Sequence, residues 1–222
     1  MDISVIITAA GVGKRTHLNY NKVMYQVGGK PLLVYLIDVF KNDEDVKEIL
    51  LTVKKEEQEM MQKYFGSKVD KIIVGGSTRQ ESVYNGIKHA TSDYIFIQDG
   101  ARLLVNPGVL NRLKRGLEEF DSVSPYIHVA DTLKTHDKYI MKDHVNRDNV
   151  VQIQTPQCFH RSVILTAHNE AQHNNYPCDA SLVKEVLGVD TLLVSGDRKH
   201  IKFTIQDDLD MMELIIRDTY RK

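Results

Sequence analysis

The chemistry that this sequence could perform is concentrated in a glycine-containing loop near its N-terminus. Residues 5–15, VIITAAGVGKR, begin as an apolar run typical of a β-strand and end with two glycines and two cations. Because glycine lacks a Cβ, Gly11 and Gly13 predict a backbone that turns with positive φ and approaches a ligand closely. The N–H groups of such a loop can point at phosphate oxygens, and Lys22 can add charge from further along the chain. The loop therefore predicts a triphosphate site at the end of the first strand.

This loop differs from two common phosphate-binding motifs. The third glycine of the dinucleotide fingerprint G-x-G-x-x-G is replaced by Thr16, and the Gly-Lys-Ser/Thr ending of a P-loop is absent. The phosphate interpretation therefore needs support from other parts of the chain.

Three further polar clusters follow apolar runs, where ligands bind in open α/β sheets. They are Gly75-Gly76-Ser77-Thr78-Arg79 with Ser82, then Gln98-Asp99-Gly100-Ala101-Arg102, and finally Ile201-Lys202-Phe203-Thr204. The first cluster could contact a base or ribose, or it could be a helix cap formed by Ser77 or Thr78. In the second, Asp99 could hold a divalent cation and Arg102 could clamp an anion, or both could belong to a turn with a surface ion pair. Lys202 is either a surface lysine with its stem along apolar neighbours or a cation placed for chemistry.

Composition limits the function classes. The chain has 222 residues, of which 42% are hydrophobic, and its net charge of −1 predicts no nucleic-acid or membrane-surface partner. Cys158 and Cys178 lack the spacing of a metal site and predict reduced thiols. No signal peptide or apolar run of membrane-spanning length is apparent, so we expect a cytoplasmic protein.

Apolar runs and helical patterns alternate along the first 120 residues. Strands are expected at residues 3–7, 48–53, 71–74 and 94–97, and helices at 31–40, 56–65, 79–90 and 107–120. This alternation predicts an α/β fold with a mostly parallel central sheet and helices on both faces.

The second half of the chain is less regular. Strand-like stretches at 122–133 and 150–154 flank a polar segment, 135–149, that predicts a protruding β-arm. Helices are expected at 161–173 and 180–187, strands at 191–194 and 201–204, and a final helix at 205–220 with Thr204 as its N-cap. Because no linker or repeat is present, residues 1–222 are predicted to form a single domain with an excursion.

Taken in order, these residues resemble the polyol-phosphate cytidylyltransferases, and most closely the 2-C-methyl-D-erythritol 4-phosphate cytidylyltransferase family. The resemblance covers essentially the whole chain. It rests on AAGVGKR at 9–15, Asn21-Lys22, GKP at 29–31, GG at 75–76, Arg79, Ser82-Val83, DGAR at 99–102, DTLK at 131–134, Arg147, QTPQ at 154–157, Phe159, DAS at 179–181 and IKFT at 201–204.

The resemblance implies a Rossmann-like nucleotidyltransferase fold and a homodimer, in which the arm of one subunit helps to build the polyol-phosphate site of the other. It implies that Arg15, Lys22 and Lys202 are catalytic, and that CTP is bound by Ala9, Ala10, Gly11, Val12, Gly13, Lys14, Gly76, Ser82, Asp99 and Gly100. It implies acceptor binding by Arg102, Thr132, Arg147 and Thr155, with Arg147 and Thr155 reaching in from the partner. Mg²⁺ would be the cofactor, with Asp99 as its ligand.

The implied reaction is an in-line attack of the acceptor's phosphate oxygen on the α-phosphorus of CTP, with pyrophosphate as the leaving group. The nucleophile is already an anion, so no strong general base is needed. The obstacle is to bring two polyanions together and to stabilise the transition state, which positioned cations and Mg²⁺ can do.

The sequence departs from the family pattern mainly near the acceptor. Gln98 stands where His is usual, Leu103 where Pro is usual, Thr16 where Met is usual, and Pro177-Cys178-Asp179 replaces a Thr-Asp-acid run. The acceptor is therefore open between methylerythritol phosphate, which Gly100-Ala101-Arg102 favours, and ribitol 5-phosphate, whose enzymes usually carry Ser-Val-Arg there.

Other functions remain as alternatives. They are a nucleotidyltransferase for another nucleotide or polyol, a non-catalytic nucleotide-binding protein, and a dehydrogenase. The last needs an acidic residue at a second strand's end, about 20 residues beyond the loop, where the sequence predicts a helix instead.

Overall fold

A computed structural model describes residues 1–11, 20–104, 106–173 and 175–220 of the chain. Its strands are β1 (Ile3–Thr8), β2 (Gln26–Val27), β3 (Lys30–Pro31), β4 (Val46–Val53), β5 (Lys71–Val74), β6 (Tyr94–Asp99), β7 (Ser122–His128), β8 (Leu133–Asp137), β9 (Ile140–Val145), β10 (Val151–Ile153), β11 (Gln157–His160) and β12 (Leu192–Ser195). Its helices are α1 (Leu32–Lys41), α2 (Gln58–Phe65), α3 (Arg79–His89), α4 (Gly108–Gly116), α5 (Arg161–Glu170), α6 (Asp179–Leu187) and α7 (Asp207–Tyr220).

The central sheet has eight strands in the order β10-β7-β11-β6-β1-β4-β5, with β12 paired to β7. Strands β6, β1, β4 and β5 are mutually parallel, whereas β11 runs antiparallel to both β6 and β7. The predicted mostly parallel core is therefore confirmed. In the β1–β6 pair, Thr8 lies opposite Asp99, so the two strands end together at one edge of the sheet.

Helices cover both faces of this sheet, as the alternation predicted. Side chains of successive strand residues point to opposite faces, so Val5 and Ile7 of β1 join one apolar cluster and Ile6 joins the other. The first cluster contains buried residues of α1, α2, α4 and α7, and the second contains those of α3, α5 and α6. The sheet is thus fixed from both sides.

The predicted arm is a hairpin in which β8 and β9 pair antiparallel. Lys138, in its turn, has a φ of 52°. The next three residues, Tyr139, Ile140 and Met141, are 101%, 64% and 69% exposed, so the hairpin ends in an uncovered apolar tip.

Several predicted elements differ from the structure. Residues 201–204 do not form a strand, because they make only one isolated bridge, between Lys202 and Arg102. Strand β11 was missed, since four residues that include Gln157 and His160 show no strand pattern. Thr204 does not cap α7 with its side chain; instead Asp208 accepts hydrogen bonds from the backbone N–H groups of Thr204 and Ile205.

Two further observations concern the chain's chemistry at large. Cys158 and Cys178 are free thiols, in agreement with the prediction. Among the residues described, no helix combines the length and apolarity that a membrane crossing requires.

Candidate active site

An open cleft of about 450 Å³ lies at the carboxyl ends of β1 and β6. Residues from all four predicted clusters line it: Thr8, Ala10, Gly11, Lys22, Gly76, Ser77, Thr78, Arg79, Ser82, Asp99, Gly100, Ala101, Lys202 and Thr204. Parallel strands bring these sequence-distant segments together, because their carboxyl ends share one edge of the sheet.

The loop after β1 enters this cleft directly. Ala9 is buried and donates its backbone N–H to the carbonyl of Thr52, whereas Thr8 before it and Ala10 and Gly11 after it line the cleft. Gly11 does not have the predicted positive φ, and a Cβ added to it would meet nothing within 4 Å. The predicted site residues Val12, Gly13, Lys14 and Arg15 lie outside the described residues.

The start of α3 forms one wall of the cleft. Thr78 is the N-cap, and its side chain accepts the backbone N–H of Glu81. Ser82 Oγ accepts the N–H of Gly76 at 3.0 Å. A Cβ on Gly76 would lie 2.2 Å from Cβ of Glu81, which explains the glycine. The cap interpretation is therefore confirmed for Thr78, whereas the binding interpretation stays a prediction for a turn that faces the cleft.

Asp99 ends β6 between two cations. Its Oδ1 lies 3.2 Å from Arg79 Nε, and its Oδ2 lies 2.7 Å from Lys202 Nζ. Burial raises the pKa of Asp99, but the charges of Arg79 and Lys202 outweigh that effect and hold the pKa well below its ordinary value. The ion pairs are thus part-buried: the Asp99 carboxylate is largely shielded from water, whereas the Arg79 and Lys202 side chains are 36% and 38% exposed.

This geometry does not fit the prediction that Asp99 holds a metal ion. Both carboxylate oxygens are already paired with cations that would repel a divalent ion. The described part of the chain also contains no group of three His, Cys, Asp or Glu side chains that could bind one. The protein side chains described here therefore do not make a resident magnesium site.

Two lysines, Lys22 and Lys202, come together at the cleft. Lys22 Nζ donates to the carbonyl oxygen of Phe203 at 2.6 Å and lies 5.8 Å from the centre of its ring. The neighbouring Lys202 directs its ammonium group at Asp99. Of the two interpretations of Lys202, the geometry therefore favours a placed cation, because its ammonium group is paired with Asp99 at the cleft.

The predicted acceptor residues are not among those that line the cleft. Arg102 donates from Nη1 to the carbonyl of His200 at 2.8 Å. Thr132 and Arg147 are exposed beside the arm, where Arg147 donates to the carbonyl of Ala130. Thr155 is only 5% exposed in its own chain, and its role in a partner's acceptor site stays a prediction. Its Oγ1 accepts the N–H of Asp99 from the same chain, at 3.2 Å.

Comparison with known proteins agrees with this geometry. Residues 3–218 match the family model described as 2-C-methyl-D-erythritol 4-phosphate cytidylyltransferase. The chain belongs to this family. Relatives of that name from Caldanaerobacter subterraneus subsp. tengcongensis and Geobacillus thermodenitrificans are each 36% identical, over 98% and 97% of this chain and 100% and 97% of their own lengths.

Solved structures of the family share the fold. The 2-C-methyl-D-erythritol 4-phosphate cytidylyltransferase of Thermus thermophilus is 27% identical, with a TM-score of 0.84 over 98% of this chain and 100% of its own. A bifunctional IspDF from Campylobacter jejuni superposes with a TM-score of 0.83 at 26% identity, over 95% of this chain and 54% of its own length.

Side chains of the QTPQ block support the site through hydrogen bonds to backbone groups of neighbouring segments. The amide of Gln154 donates to the carbonyl of Asp197 at 2.8 Å and accepts its N–H at 3.1 Å. Gln157 Oε1 accepts the N–H of Ala180 at 3.0 Å. Together with Thr155, these side chains attach three separate segments to the sheet edge. Sequence reasoning recognised the block but not this role, because only burial distinguishes a supporting amide from a binding one.

His200 supports the segment that carries Lys202. It is fully buried, and its Nε2 accepts the backbone N–H of Asn106 at 3.2 Å. Burial lowers the pKa of His200 to about 4. The imidazole is therefore neutral at pH 7, as an acceptor at Nε2 must be.

This lowered pKa predicts that the protein loses stability in mild acid. Between pH 6.5 and about 4 the unfolded chain binds a proton at His200 that the folded chain does not, so the free energy of unfolding falls as pH falls. We expect a loss of about 2 kcal/mol between pH 7 and pH 5 from this residue. Urea denaturation at both pH values measures it.

The matched variants are His200→Gln, which retains an acceptor without titrating, and His89→Gln at an exposed site. The first should flatten the pH dependence by that amount and the second should not change it. An unchanged slope in His200→Gln would contradict the prediction.

Proposed function

We propose that this chain transfers the cytidylyl group of CTP to 2-C-methyl-D-erythritol 4-phosphate and releases pyrophosphate. The observation that carries the proposal is the cleft itself, where two lysines, a glycine loop and the start of α3 converge. The names of the relatives favour methylerythritol phosphate over ribitol 5-phosphate as the acceptor. Ala10, Gly76 and Ser82 would contact the nucleotide, and their place in the lining of the cleft supports this part of the proposal.

Charge stabilisation is the main task that the reaction sets. The acceptor's phosphate oxygen attacks the α-phosphorus, the bond to the β-phosphate oxygen breaks, and its electron pair leaves with pyrophosphate. Lys22 and Lys202 would face the phosphates with fixed positive charge, and Arg15 would add to it from the loop. Positioned cations of this kind act most strongly where water is excluded.

We propose that Mg²⁺ arrives with CTP, as the metal–nucleotide complex that is the substrate. Oxygen atoms of phosphates are ligands that Mg²⁺ prefers, and it commonly keeps water as well. The pairing of Asp99 with Arg79 and Lys202 supports this version over a protein-held ion.

We also propose a homodimer in which the arm completes the partner's acceptor site. The exposed apolar tip needs a cover, and Thr132 and Arg147 are absent from the cleft of their own chain. The free thiols of Cys158 and Cys178 support a cytoplasmic location, where cysteines stay reduced.

A product assay tests the function. CTP is incubated with methylerythritol phosphate, ribitol phosphate and other polyol phosphates, and the CDP-linked product is identified by mass. UTP, ATP and GTP replace CTP in parallel. CTP binding without product from any acceptor would instead indicate a non-catalytic nucleotide-binding protein.

The charge argument predicts the effect of removing one cation. Lys22→Ala and Arg15→Ala should each lower kcat by roughly a hundredfold to a thousandfold, because a preorganised positive charge at the phosphates is lost. Pyrophosphate release measures the rate, and circular dichroism checks that the variants are folded. Lys184→Ala, which removes an exposed lysine paired with Asp190, should leave kcat unchanged. Wild-type turnover in both cation variants would refute the charge argument.

If Mg²⁺ arrives with CTP, the reaction should need the metal although the protein without nucleotide does not bind it. EDTA should abolish product formation, and added Mg²⁺ should restore it. In calorimetry, Mg²⁺ should give no binding signal with the protein alone but should do so once a non-hydrolysable CTP analogue is present. Binding to the protein alone that Asp99→Asn removes would contradict this outcome.

Mixing two inactive variants tests whether the arm works in the partner subunit. Lys202→Ala inactivates a cleft, and Arg147→Ala inactivates an arm. If the arm acts on the partner, half of the dimers in a re-equilibrated equal mixture are mixed, and each has one intact site. The mixture should then regain about a quarter of wild-type activity. No recovery above the separate variants, with the mixed dimer verified by native mass spectrometry, would contradict the arm's role.

A further inference from the structure

We propose that Arg79 is a positioning residue of the transfer reaction: joined to Asp179, it fixes the carboxylate of Asp99 and thereby holds Lys202 Nζ in the cleft. The inference rests on the proposed function, and it assigns a task to two residues that contact no substrate in that account.

The four side chains form an unbroken line of ion pairs. Asp179 Oδ2 lies 2.8 Å from Arg79 Nη2, Arg79 Nε lies 3.2 Å from Asp99 Oδ1, and Asp99 Oδ2 lies 2.7 Å from Lys202 Nζ. Two negative and two positive charges alternate along the line, so the cluster is neutral as a whole. Each inner group therefore has an oppositely charged neighbour on both sides.

The chemistry of arginine suits the junction. A guanidinium group offers several N–H donors in a rigid plane, so Arg79 can hold two carboxylates at fixed angles, which a lysine ammonium cannot. Burial lowers the pKa of Arg79, but Asp179 and Asp99 outweigh it and keep the pKa above its ordinary value. The guanidinium is therefore permanently charged.

The line also connects four segments that are distant from one another in the sequence. Arg79 is the first residue of α3, Asp179 is the first residue of α6, and Asp99 is the last residue of β6. Lys202 stands on a segment with only one bridge to Arg102. Its long side chain would have many rotamers, so the direction of its charge depends on the carboxylate that receives it.

The location of Asp179 separates positioning from direct binding. Arg79 lines the cleft and could touch a nucleotide, but Asp179 does not line it, and its side chain is 2% exposed. Because the Asp179 carboxylate is paired with Arg79, we expect a substitution at Asp179 to act on the reaction through Arg79. If Arg79 simply bound CTP, loss of the Asp179 charge would leave Arg79 available for it.

The test compares Arg79→Gln, Asp179→Asn and the double variant in steady-state kinetics with CTP and methylerythritol phosphate. Each single variant should lower kcat roughly ten- to a hundredfold, because a small displacement of a charged group has effects of that size. KM for CTP should change less than about threefold, since ground-state binding is not the target. The double variant should be no worse than the single ones, because both break the same line.

Two further variants separate this role from simple loss of stability. Arg79→Lys retains the charge without the fork and should recover part, but not all, of kcat. Lys114→Gln is the matched control, because Lys114 also joins two carboxylates, Asp43 at 2.9 Å and Asp45 at 2.7 Å, away from the cleft. It should lower the midpoint of thermal unfolding and leave kcat unchanged. If Arg79→Gln fails to fold because Asp179 is left unpaired, the double variant, which buries no lone charge, supplies the measurement.

Three outcomes would overturn the proposal: a raised KM for CTP in Arg79→Gln with wild-type kinetics in Asp179→Asn; wild-type kcat in all folded variants; and additive losses in the double variant. Failure of the wild-type protein to form any CDP-linked product would instead refute the proposed function, so the two failures are distinguishable.

Discussion

The site depends on one constraint, which is that the carboxylate of Asp99 must remain charged where little water reaches it. A lone buried carboxylate would be costly, and the structure offsets that cost with Arg79 and Lys202 on its two oxygens. Under the proposed function the same arrangement would prepare the cleft for anions, because it holds the Lys202 ammonium group in place before any substrate arrives. A group fixed beforehand does not have to be ordered during the reaction, and that is where preorganised charge gains its effect.

The register of β1 and β6 places Asp99 at the cleft. With Thr8 opposite Asp99, the loop after β1 and the turn after β6 open into the same space. The segment around Lys202 arrives from the far end of the chain and joins through the hydrogen bond from the Phe203 N–H to Ala101. The QTPQ block then supports both from below. Residues nearly 200 positions apart in the chain therefore meet at the carboxyl ends of β1 and β6.

The sequence could predict those parts of the site that lie on regular elements. The apolar run before the glycine loop, and the one before Asp99, predicted β1 and β6, and parallel pairing then required their ends to coincide. The short β11 and the segment around Lys202 could not be predicted, because their backbone partners are distant and their own side chains show no strand pattern. The role of Thr155 was missed for a related reason: a hydroxyl that binds a ligand and one that supports a neighbouring N–H are the same residue type. Arg79 was recognised without a task, since the partner that defines it, Asp179, lies 100 positions away.

The described residues that depart from the family pattern hold the backbone around the cleft and do not line the cleft itself. Gln98, where His is usual, is fully buried and donates its amide to the carbonyls of Asp99 and Arg102. Leu103, where Pro is usual, has a backbone N–H that proline would lack, and this N–H donates to Ile201 at 3.0 Å. Both changes therefore fasten the turn after β6, one from within and one to the segment that carries Lys202. The remaining acid of the altered 177–179 run, Asp179, pairs with Arg79 and is not free to contact an acceptor. Under the proposed function, recognition of the acceptor is then left to Arg102 and to residues outside this cleft, and the arm of the proposed second subunit is where we expect polyol choice to be decided.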